Sequence, residues 1–394
     1  MWDKPYQTPS TPSITSVNPS PEAKAGVNTI SILGHNFIIA ASDTLTPDTT
    51  IVYFNTLQAT IISLDSNRII VRRPDFVSDS CTVKVSVHNA IVEPTFGPYK
   101  IDQVSWQYGG FLQNRAIAGI ATDDQGHVFV TGDTLSPYNL YETTSATDNR
   151  SVGTVIATGA PAEAPWGSTI GPDGSIYIFT GVSTRWVSRV YTSNDSIVQK
   201  WLQLPKVVKF GDVSPGGFLF TGGVKTDLYV ISPGMSGQIT SSQAHVAGFY
   251  AADTIFAIKA YDGYLYVAWK SASLPSSQQI SRHAFTSDST LGPQELVLDM
   301  SNTRYANDRV SGLAFSASGD MYISTASNDP LLVDPGAGSD GAAVDGFYQG
   351  ILPPFCGGIS WNSNSDYLYM ISGNGSNDNP WTVYKVDMGE VGGH

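Results

Sequence analysis

The sequence is poor in charged side chains, and this shortage limits the fold classes open to it. Only 14% of the 394 residues are Asp, Glu, Lys or Arg, whereas about a quarter is usual in globular proteins. Long surface helices need Glu, Lys and Arg on their solvent face, so an architecture built from such helices is excluded. Glycine (38 residues) and proline (23 residues) are abundant instead, which favours short strands joined by turns.

Basic residues are scarcer than acidic ones, with 21 Lys and Arg against 34 Asp and Glu and a net charge of -13. A nucleic acid partner is excluded, because binding phosphates requires an excess of Lys and Arg. No apolar run approaches the roughly 18 residues that a membrane span needs, which leaves peripheral or lipid-anchored attachment. Met1–Pro5 is not an apolar signal segment, so an extracellular location implies a signal peptide or lipid anchor that has been removed.

Residues that mark common catalytic or redox sites are also few. The two cysteines, Cys81 and Cys356, are far apart in the sequence, and we expect both to be buried core thiols. The six histidines show no metal-ligand spacing. Nucleophile-elbow, P-loop and dinucleotide-binding motifs are lacking as well, so the sequence assigns no catalytic residue.

Residues 1–11 are rich in Pro, Ser and Thr and are predicted to form a flexible leader. From residue 12 to residue 98, short apolar runs alternate with turn residues, which is typical of a small antiparallel β-sandwich. The clearest predicted strands are Ile30–Ile32, Ile51–Phe54, Ala59–Ile62, Arg68–Val71 and Thr82–Val87.

This segment resembles the IPT/TIG family of immunoglobulin-like domains. Gly26 and the run Thr29–Phe37 match the family pattern G-x-x-I-x-I-x-G-x-N-F, and Val52–Phe54 and Val83–Asn89 follow in the family's order. Asn55 is a departure, because the family usually has Gly there, but Asn tolerates a positive φ. The resemblance implies an immunoglobulin-like fold, which surface proteins commonly use as a spacer or adhesion module.

Residues 99–394 contain a longer repeat. Each unit is an apolar strand, a tight turn and a second strand with an aromatic residue shortly after the turn. The repeated aromatics, about 43 to 56 residues apart, are Phe129, Tyr177, Phe220, Tyr266, Tyr322 and Tyr369. A period near 48 predicts propeller blades, and the unit resembles NHL-type propellers. The predicted fold is therefore all-β, an N-terminal immunoglobulin-like β-sandwich (12–98) plus a six-bladed β-propeller (99–394).

The last repeat shows three apparent strands where a propeller blade needs four. The alternating segment Ile101–Gln107 precedes the first repeat and has no other place in the pattern. We therefore predict that it supplies the missing strand and closes the ring, since an open ring would leave unpaired strand edges.

In such a ring, the residues before each inner strand and those between the second and third strands project onto one face of the disc. Aromatic rings stack on the C–H faces of sugars, while guanidinium and amide groups hydrogen-bond hydroxyls. Packing between blades is an equally good explanation for Trp166 and Trp269. The ligand-binding candidates on this face are Trp166, Trp186, Arg115, Tyr250, Trp269 and Arg309.

Metal chemistry has weaker support in the sequence. A gluconolactonase-like propeller needs several carboxylates converging on a cation in its channel, but Glu is scarce and only Asp212, Asp253 and Asp308 fall near channel positions. We expect no resident cofactor, apart from the possibility of Ca²⁺ that two loops rich in Asp, Asn and Gly leave open (334–346 and 372–379).

The predicted function is non-catalytic binding by a monomer at the cell surface or outside the cell, with a carbohydrate captured on the propeller face. The architecture resembles surface lipoproteins of polysaccharide-using bacteria, and the resemblance implies a glycan partner. One alternative is an adhesion or scaffold protein that binds a surface protein, which a flat apolar patch would favour. A second is a metal-assisted lactonase or lyase, which a deep channel with three or more converging carboxylates would favour.

Overall fold

In the part of the chain that it describes, the computed structural model consists of strands and turns together with a 3-10 helix at Met300–Asn302. None of the residues it describes forms a helix long and apolar enough to cross a membrane. Most of the predicted leader, Arg115 and parts of both candidate calcium loops (338–342 and 374–379) lie outside the described residues. Those residues are 11–38, 49–88, 90–109, 117–132, 138–143, 145, 149–156, 165–180, 185–239, 245–273, 277–337, 343–373 and 380–393.

The chain divides into two compact units. The first comprises Met1–Val104 with Tyr348–Ile351, and the second comprises Ser105–Phe347 with Leu352–His394.

The first unit is the predicted β-sandwich. One sheet has the order β1-β3-β7-β6 and the other β2-β9-β8-β4-β5. Alternate residues of both sheets point into a shared apolar core, as the period-2 pattern predicts. The strands are β1 (Ser13–Asn18), β2 (Glu22–Ala23), β3 (Thr29–His35), β4 (Thr50–Phe54), β5 (Leu57–Gln58), β6 (Ile61–Leu64), β7 (Arg68–Arg72), β8 (Ser78–Val87) and β9 (Thr95–Ile101).

Two details of the sandwich confirm the sequence analysis. Asn55 has a φ of 53° in the turn after β4, so it takes the conformation that Gly would take there. Cys81 is a buried free thiol in the core, and Cys356 in the second unit is also buried and free. Burial raises the pKa of the Cys356 thiol to about 12, so it is an unreactive packing residue.

The boundary expected at residue 98 is wrong. Strand β9 continues through Tyr99 to Ile101, and both side chains are buried in the sandwich core. Gly97 and Pro98, which were expected to end the strand, lie inside β9, and the strand continues along the sheet beyond them. Tyr348 also belongs to this unit, where its hydroxyl accepts a hydrogen bond from the Gly26 N–H at 2.6 Å.

The second unit contains six sheets among its described residues, one for each predicted repeat. In each sheet the first strand of the repeat is followed by antiparallel neighbours in sequence order. Blade one comprises β11 (Ile117–Thr122), β12 (Val128–Gly132), β13 (Tyr138–Thr143) and β14 (Asn149–Ile156). Blade two comprises β15 (Pro165–Ile170), β16 (Ser175–Thr180), β17 (Trp186–Tyr191) and β18 (Ser196–Gln203), with β22 (Gly237–Gln238) at the edge. Blade three comprises β19 (Phe210–Val213), β20 (Leu219–Gly222), β21 (Tyr229–Ile231) and β23 (His245–Val246).

Blades four to six follow the same plan. Blade four is irregular at its outer side, where two short strands pair with β26. Blade four comprises β24 (Thr254–Tyr261), β25 (Tyr264–Lys270), β26 (Gln278–Ser287), β27 (Thr290–Leu291) and β28 (Glu295–Asp299). Blade five comprises β29 (Val310–Phe315), β30 (Met321–Thr325), β31 (Leu331–Asp334) and β32 (Asp345–Gly346). Blade six comprises β33 (Cys356–Trp361), β34 (Tyr367–Ser372), β35 (Thr382–Asp387) and β10 (Ser105–Tyr108).

The ring of blades is closed. The first strand of each blade contacts the first strand of the next, and β33 of blade six contacts β11 of blade one. Strand β10 pairs with β35 and completes blade six. The segment that precedes the first repeat therefore supplies the missing strand, as predicted. Its bounds, Ser105–Tyr108, are shifted from the predicted Ile101–Gln107 because Ile101 belongs to the sandwich.

The repeated turn and aromatic residues explain why the sequence forms blades. The turn glycines of the first five repeats all have positive φ, between 76° and 95°, a conformation that costs glycine little. The aromatic residue on each second strand lies opposite the same position of the inner strand. All six aromatics are buried, so they form part of the packing on which the ring depends.

Candidate functional site in the propeller channel

The inner strands of all six blades surround a cavity of about 890 Å³. It reaches from the end of the channel where the inner strands begin to the end where they turn into the second strands. One residue from each blade illustrates the lining: Gly119, Ser168, Asp212, Ile258, Gly312 and Ile359. The cavity lies within the volume range of small-molecule sites, roughly 300–1,000 Å³.

The end where the inner strands begin is shaped by β-bulges. In five blades the pairing with the second strand slips near the start of the inner strand and leaves one residue unpaired. Blade three has no bulge, and Lys209, whose N–H donates to the Gly222 carbonyl, takes the corresponding position. We call this end the bulge mouth, defined by Ala118, Trp166, Lys209, Phe256, Ser311 and Gly357.

Two of the predicted residues meet a third residue at the bulge mouth. The Lys209 ammonium nitrogen lies 3.4 Å from the centre of the half-buried Trp166 ring, close enough for a cation–π contact. Burial, assisted by the positive charge of Arg309, lowers the pKa of Lys209. Trp166 lines the cavity, so an aromatic ring and the Lys209 ammonium lie together at one end of the channel, within electrostatic range of Arg309.

The sequence analysis did not identify Lys209. It directly precedes the inner strand Phe210–Val213, as Arg309 directly precedes Val310–Phe315. The same positional rule therefore applied to both residues, but only Arg309 was named as a candidate.

Asp212, one of the three predicted channel carboxylates, lies between blades and is only 5% exposed. One carboxylate oxygen accepts a hydrogen bond from the Thr169 hydroxyl at 2.5 Å. The other accepts from the Ala260 N–H at 2.8 Å and lies 3.2 Å from the Lys259 ammonium. These three contacts involve blades two, three and four, so the carboxylate joins the blades.

The opposite end of the channel is acidic. The hairpins between first and second strands hold six aspartates and no Lys or Arg: Asp123, Asp124, Asp173, Asp262, Asp320 and Asp366. We call this end the hairpin mouth. His127 Nδ1 lies 2.8 Å from Asp123, and Arg150 joins Glu142 to Asp195. Among the described residues, no group of three or more His, Cys, Asp or Glu side chains is arranged to hold a metal ion.

The remaining predicted residues occupy different surroundings. Tyr250 is 5% exposed, its hydroxyl lies 2.7 Å from His283 Nε2, and burial raises its pKa. The Trp269 ring packs 5.3 Å from Tyr250, and its Nε1–H donates to Ser281. Both side chains therefore pack within blade four. Trp186 is half-buried at the start of β17, outside the cavity lining, and Arg115 lies outside the described residues.

Residues 12–100 match the IPT/TIG domain family. A search of curated proteins found no match to the sequence. The chain thus combines an IPT/TIG domain with the six-bladed β-propeller that its own strand pairing defines.

Similar solved structures include a PQQ-bound aldose sugar dehydrogenase from Streptomyces coelicolor, which is 12% identical over 72% of this chain and 97% of its own, with a TM-score of 0.50. A Bacteroides thetaiotaomicron protein of unknown function is 14% identical over 97% and 99%, with a TM-score of 0.48. An auxiliary nutrient binding protein from Bacteroides ovatus is 11% identical over 96% and 98%, with a TM-score of 0.46. At these identities the similarity concerns the fold alone.

Proposed function

We propose that this protein is a non-catalytic carbohydrate-binding protein of the cell surface or extracellular space, and that the bulge mouth of the propeller channel holds the sugar. The observation that carries the proposal is the position of Trp166, a half-buried ring on the wall of the 890 Å³ cavity. An indole ring at the edge of a concave site suits the apolar C–H face of a pyranose.

Polar groups near Trp166 suit the hydroxyls of a sugar. Ser168, two residues further along the same inner strand, lines the cavity, and its buried hydroxyl has no hydrogen-bond partner among the described residues. Ser311 also lines the cavity; its hydroxyl donates to the Cys356 carbonyl at 2.7 Å and lies 3.0 Å from the Ser324 hydroxyl, which leaves it one acceptor position.

The residue arrangement favours binding over the metal-assisted alternative. Asp212, the predicted carboxylate that lines the cavity, already has three partners in neighbouring blades. Recruiting it as a metal ligand would break contacts that join those blades. The protein-binding alternative predicts a flat contact surface, whereas Trp166 borders a concave cavity, which suits a small ligand better.

The test is a glycan array probed with the full chain, followed by calorimetric titration of the tightest ligand. We expect Trp166→Ala to weaken binding by about 1–3 kcal/mol, the range for aromatic contacts in binding sites. Trp106→Ala is the matched control, because Trp106 is a half-buried tryptophan on the outer strand β10. Trp166→Phe should retain part of the affinity, because a smaller ring remains.

Thermal melting of the same variants separates binding from stability. A ring that serves only to pack the blades would cost about 3–5 kcal/mol of stability when removed. Equal glycan affinity in the wild type and in a folded Trp166→Ala variant would refute the assignment of the site. A chain that binds no glycan but retains a protein partner would support the adhesion alternative.

A further inference from the structure

We infer that the glycan bound at the bulge mouth is anionic, and that Lys209 and Arg309 together bind a carboxylate or sulfate group on it. This inference rests on the proposed function and specifies its ligand class. The argument uses the pairing of charges within the propeller, the distribution of charge along the channel, and the contact between Lys209 and Trp166.

Two other cations that are buried or half-buried in the propeller have a carboxylate partner. Lys259 pairs with Asp212, and Arg189 pairs with Asp173 at 2.7 Å. Within the described part of the chain, no ion pair includes Lys209 or Arg309. Because the Arg309 charge also helps to lower the pKa of Lys209, the two cations lie within electrostatic range of each other.

The acidic residue next to Arg309 does not neutralise it. Asp308 interacts with the Ser327 hydroxyl and lies near Asp329. Burial, with the negative charge of Asp329 adding to it, raises the pKa of Asp308. The Ser327 hydrogen bond opposes this rise, and no ion pair in the described part of the chain joins Asp308 to Arg309, so the guanidinium remains available to a ligand.

The two ends of the channel differ in charge. The hairpin mouth has six aspartates and no Lys or Arg in its hairpins, whereas the segments directly before the inner strands hold Lys209 and Arg309 as well as Asp253 and Asp308. Electrostatic interactions are screened over about 10 Å at 0.1 M salt, so a bound group experiences the local charge more than the net charge of -13. An anionic group is therefore favoured at the bulge mouth and disfavoured at the other end.

The Lys209–Trp166 contact connects this charge to a sugar. The ammonium lies 3.4 Å from the ring centre, so one residue of a charged glycan can contact the indole and the ammonium at once. Uronic acids and sulfated sugars combine a C–H face with an anionic group on the same ring. Arg309 adds a planar guanidinium, which can bind two oxygens of a carboxylate or sulfate.

The experiment compares charged polysaccharides with neutral partners on the full chain. Polygalacturonate is paired with its full methyl ester, and dextran sulfate with dextran; alginate, hyaluronan and carrageenan extend the charged set. We expect at least one charged polymer to bind at least 10-fold more tightly than the neutral polymers. Its class identifies the anionic group as carboxylate or sulfate.

Two substitutions test whether the charge is read at the bulge mouth. Lys209→Gln and Arg309→Gln should each weaken binding of the charged polymer roughly 10- to 100-fold, as expected for hydrogen bonds to charged groups. Lys385→Gln is the matched control, because Lys385 lies 3.6 Å from the Tyr367 ring centre in blade six and burial also lowers its pKa. Lys209→Arg should retain most of the affinity, because it keeps the positive charge. Arg309 is exposed, so Arg309→Gln should not disturb folding.

The outcomes separate this inference from the proposed function. A neutral glycan whose binding depends on Trp166 but not on Lys209 or Arg309 would overturn the anionic ligand and leave the carbohydrate site intact. If charged polymers bind the wild type and both Gln variants equally, another part of the protein binds their charged groups. That result would also overturn the inference of an anionic ligand at the bulge mouth. If no polymer of either kind binds, the proposed function fails together with this inference.

Discussion

Asp212→Asn tests whether one buried carboxylate holds three blades of the propeller together. Asn has nearly the same shape as Asp but no charge, so the substitution leaves packing almost unchanged. The amide oxygen can still accept one hydrogen bond, from Thr169 or from the Ala260 N–H. The amide nitrogen is a donor, and it cannot replace the oxygen that faces Lys259.

The expected loss of stability follows from the exposure of the two partners. Removing one member of a fully buried ion pair costs about 3–5 kcal/mol. Asp212 is 5% exposed, but the Lys259 side chain is 23% exposed and recovers some hydration. We therefore expect a loss of about 2–4 kcal/mol, a smaller value than for a fully buried pair. At about 2–4 °C per kcal/mol for a domain of this size, the melting temperature should fall by roughly 5–15 °C.

The assay is thermal melting at a fixed scan rate, with Lys259→Met and the double variant completing a mutant cycle. The double variant should be more stable than the sum of the single losses predicts, because it removes both charges. A loss below about 0.5 kcal/mol for Asp212→Asn, the size of an ordinary surface substitution, would refute the structural role. The carboxylate would then be available for a role in the channel.

Two further predictions concern stability elsewhere in the chain. A fragment of residues 12–104 should be more stable than one of residues 12–98, because the shorter fragment loses the buried Tyr99 and Ile101. Losing a large core side chain costs about 2–5 kcal/mol. If the circular dichroism melting curves of the two fragments coincide, this prediction is wrong. Burial tends to raise the pKa of Asp299, but hydrogen bonds from Ser301, Ser277 and Gln279 outweigh it and lower that pKa to about 2. Because the folded pKa lies below the unfolded value of about 3.9, this contribution is present above pH 4 and lost as the pH falls towards 2. Asp299→Ala should therefore cost about 1 kcal/mol at pH 7, the usual value for a cap, and little near pH 2, and a melting difference that stays constant between those pH values would contradict it.

The sequence predicted the fold well because both units repeat a simple pattern. Period-2 alternation predicted the sandwich strands, and the Gly and aromatic positions of each repeat predicted a blade. The domain boundary was wrong for a local reason. Proline and glycine often end strands, yet Gly97 and Pro98 lie inside β9, and only the pairing of Tyr99 with Cys81 shows that the strand continues.

The candidate site was harder to predict, because it depends on register. Trp166 and Lys209 are in different blades, and their contact requires that a bulge in β15 and the unbulged start of β19 place them side by side. A sequence pattern identifies the blade but not the bulge. Tyr250 was predicted to be exposed, because it lies before an inner strand. Its hydroxyl is instead buried beside His283.

The distribution of satisfied and unsatisfied groups supports our proposal that a ligand binds at one end of the channel. Inside the ring, Asp212 and Lys259 satisfy each other, so this ion pair needs no ligand. At the hairpin mouth, Arg150 is held by Glu142 and Asp195, and His127 contacts Asp123. At the bulge mouth, Lys209 and Arg309 have no ion-pair partner in the described part of the chain. Because a folded protein usually pairs its buried charges, a ligand would contribute most at the mouth where half-buried Lys209 is unpaired and Arg309 adds an exposed guanidinium.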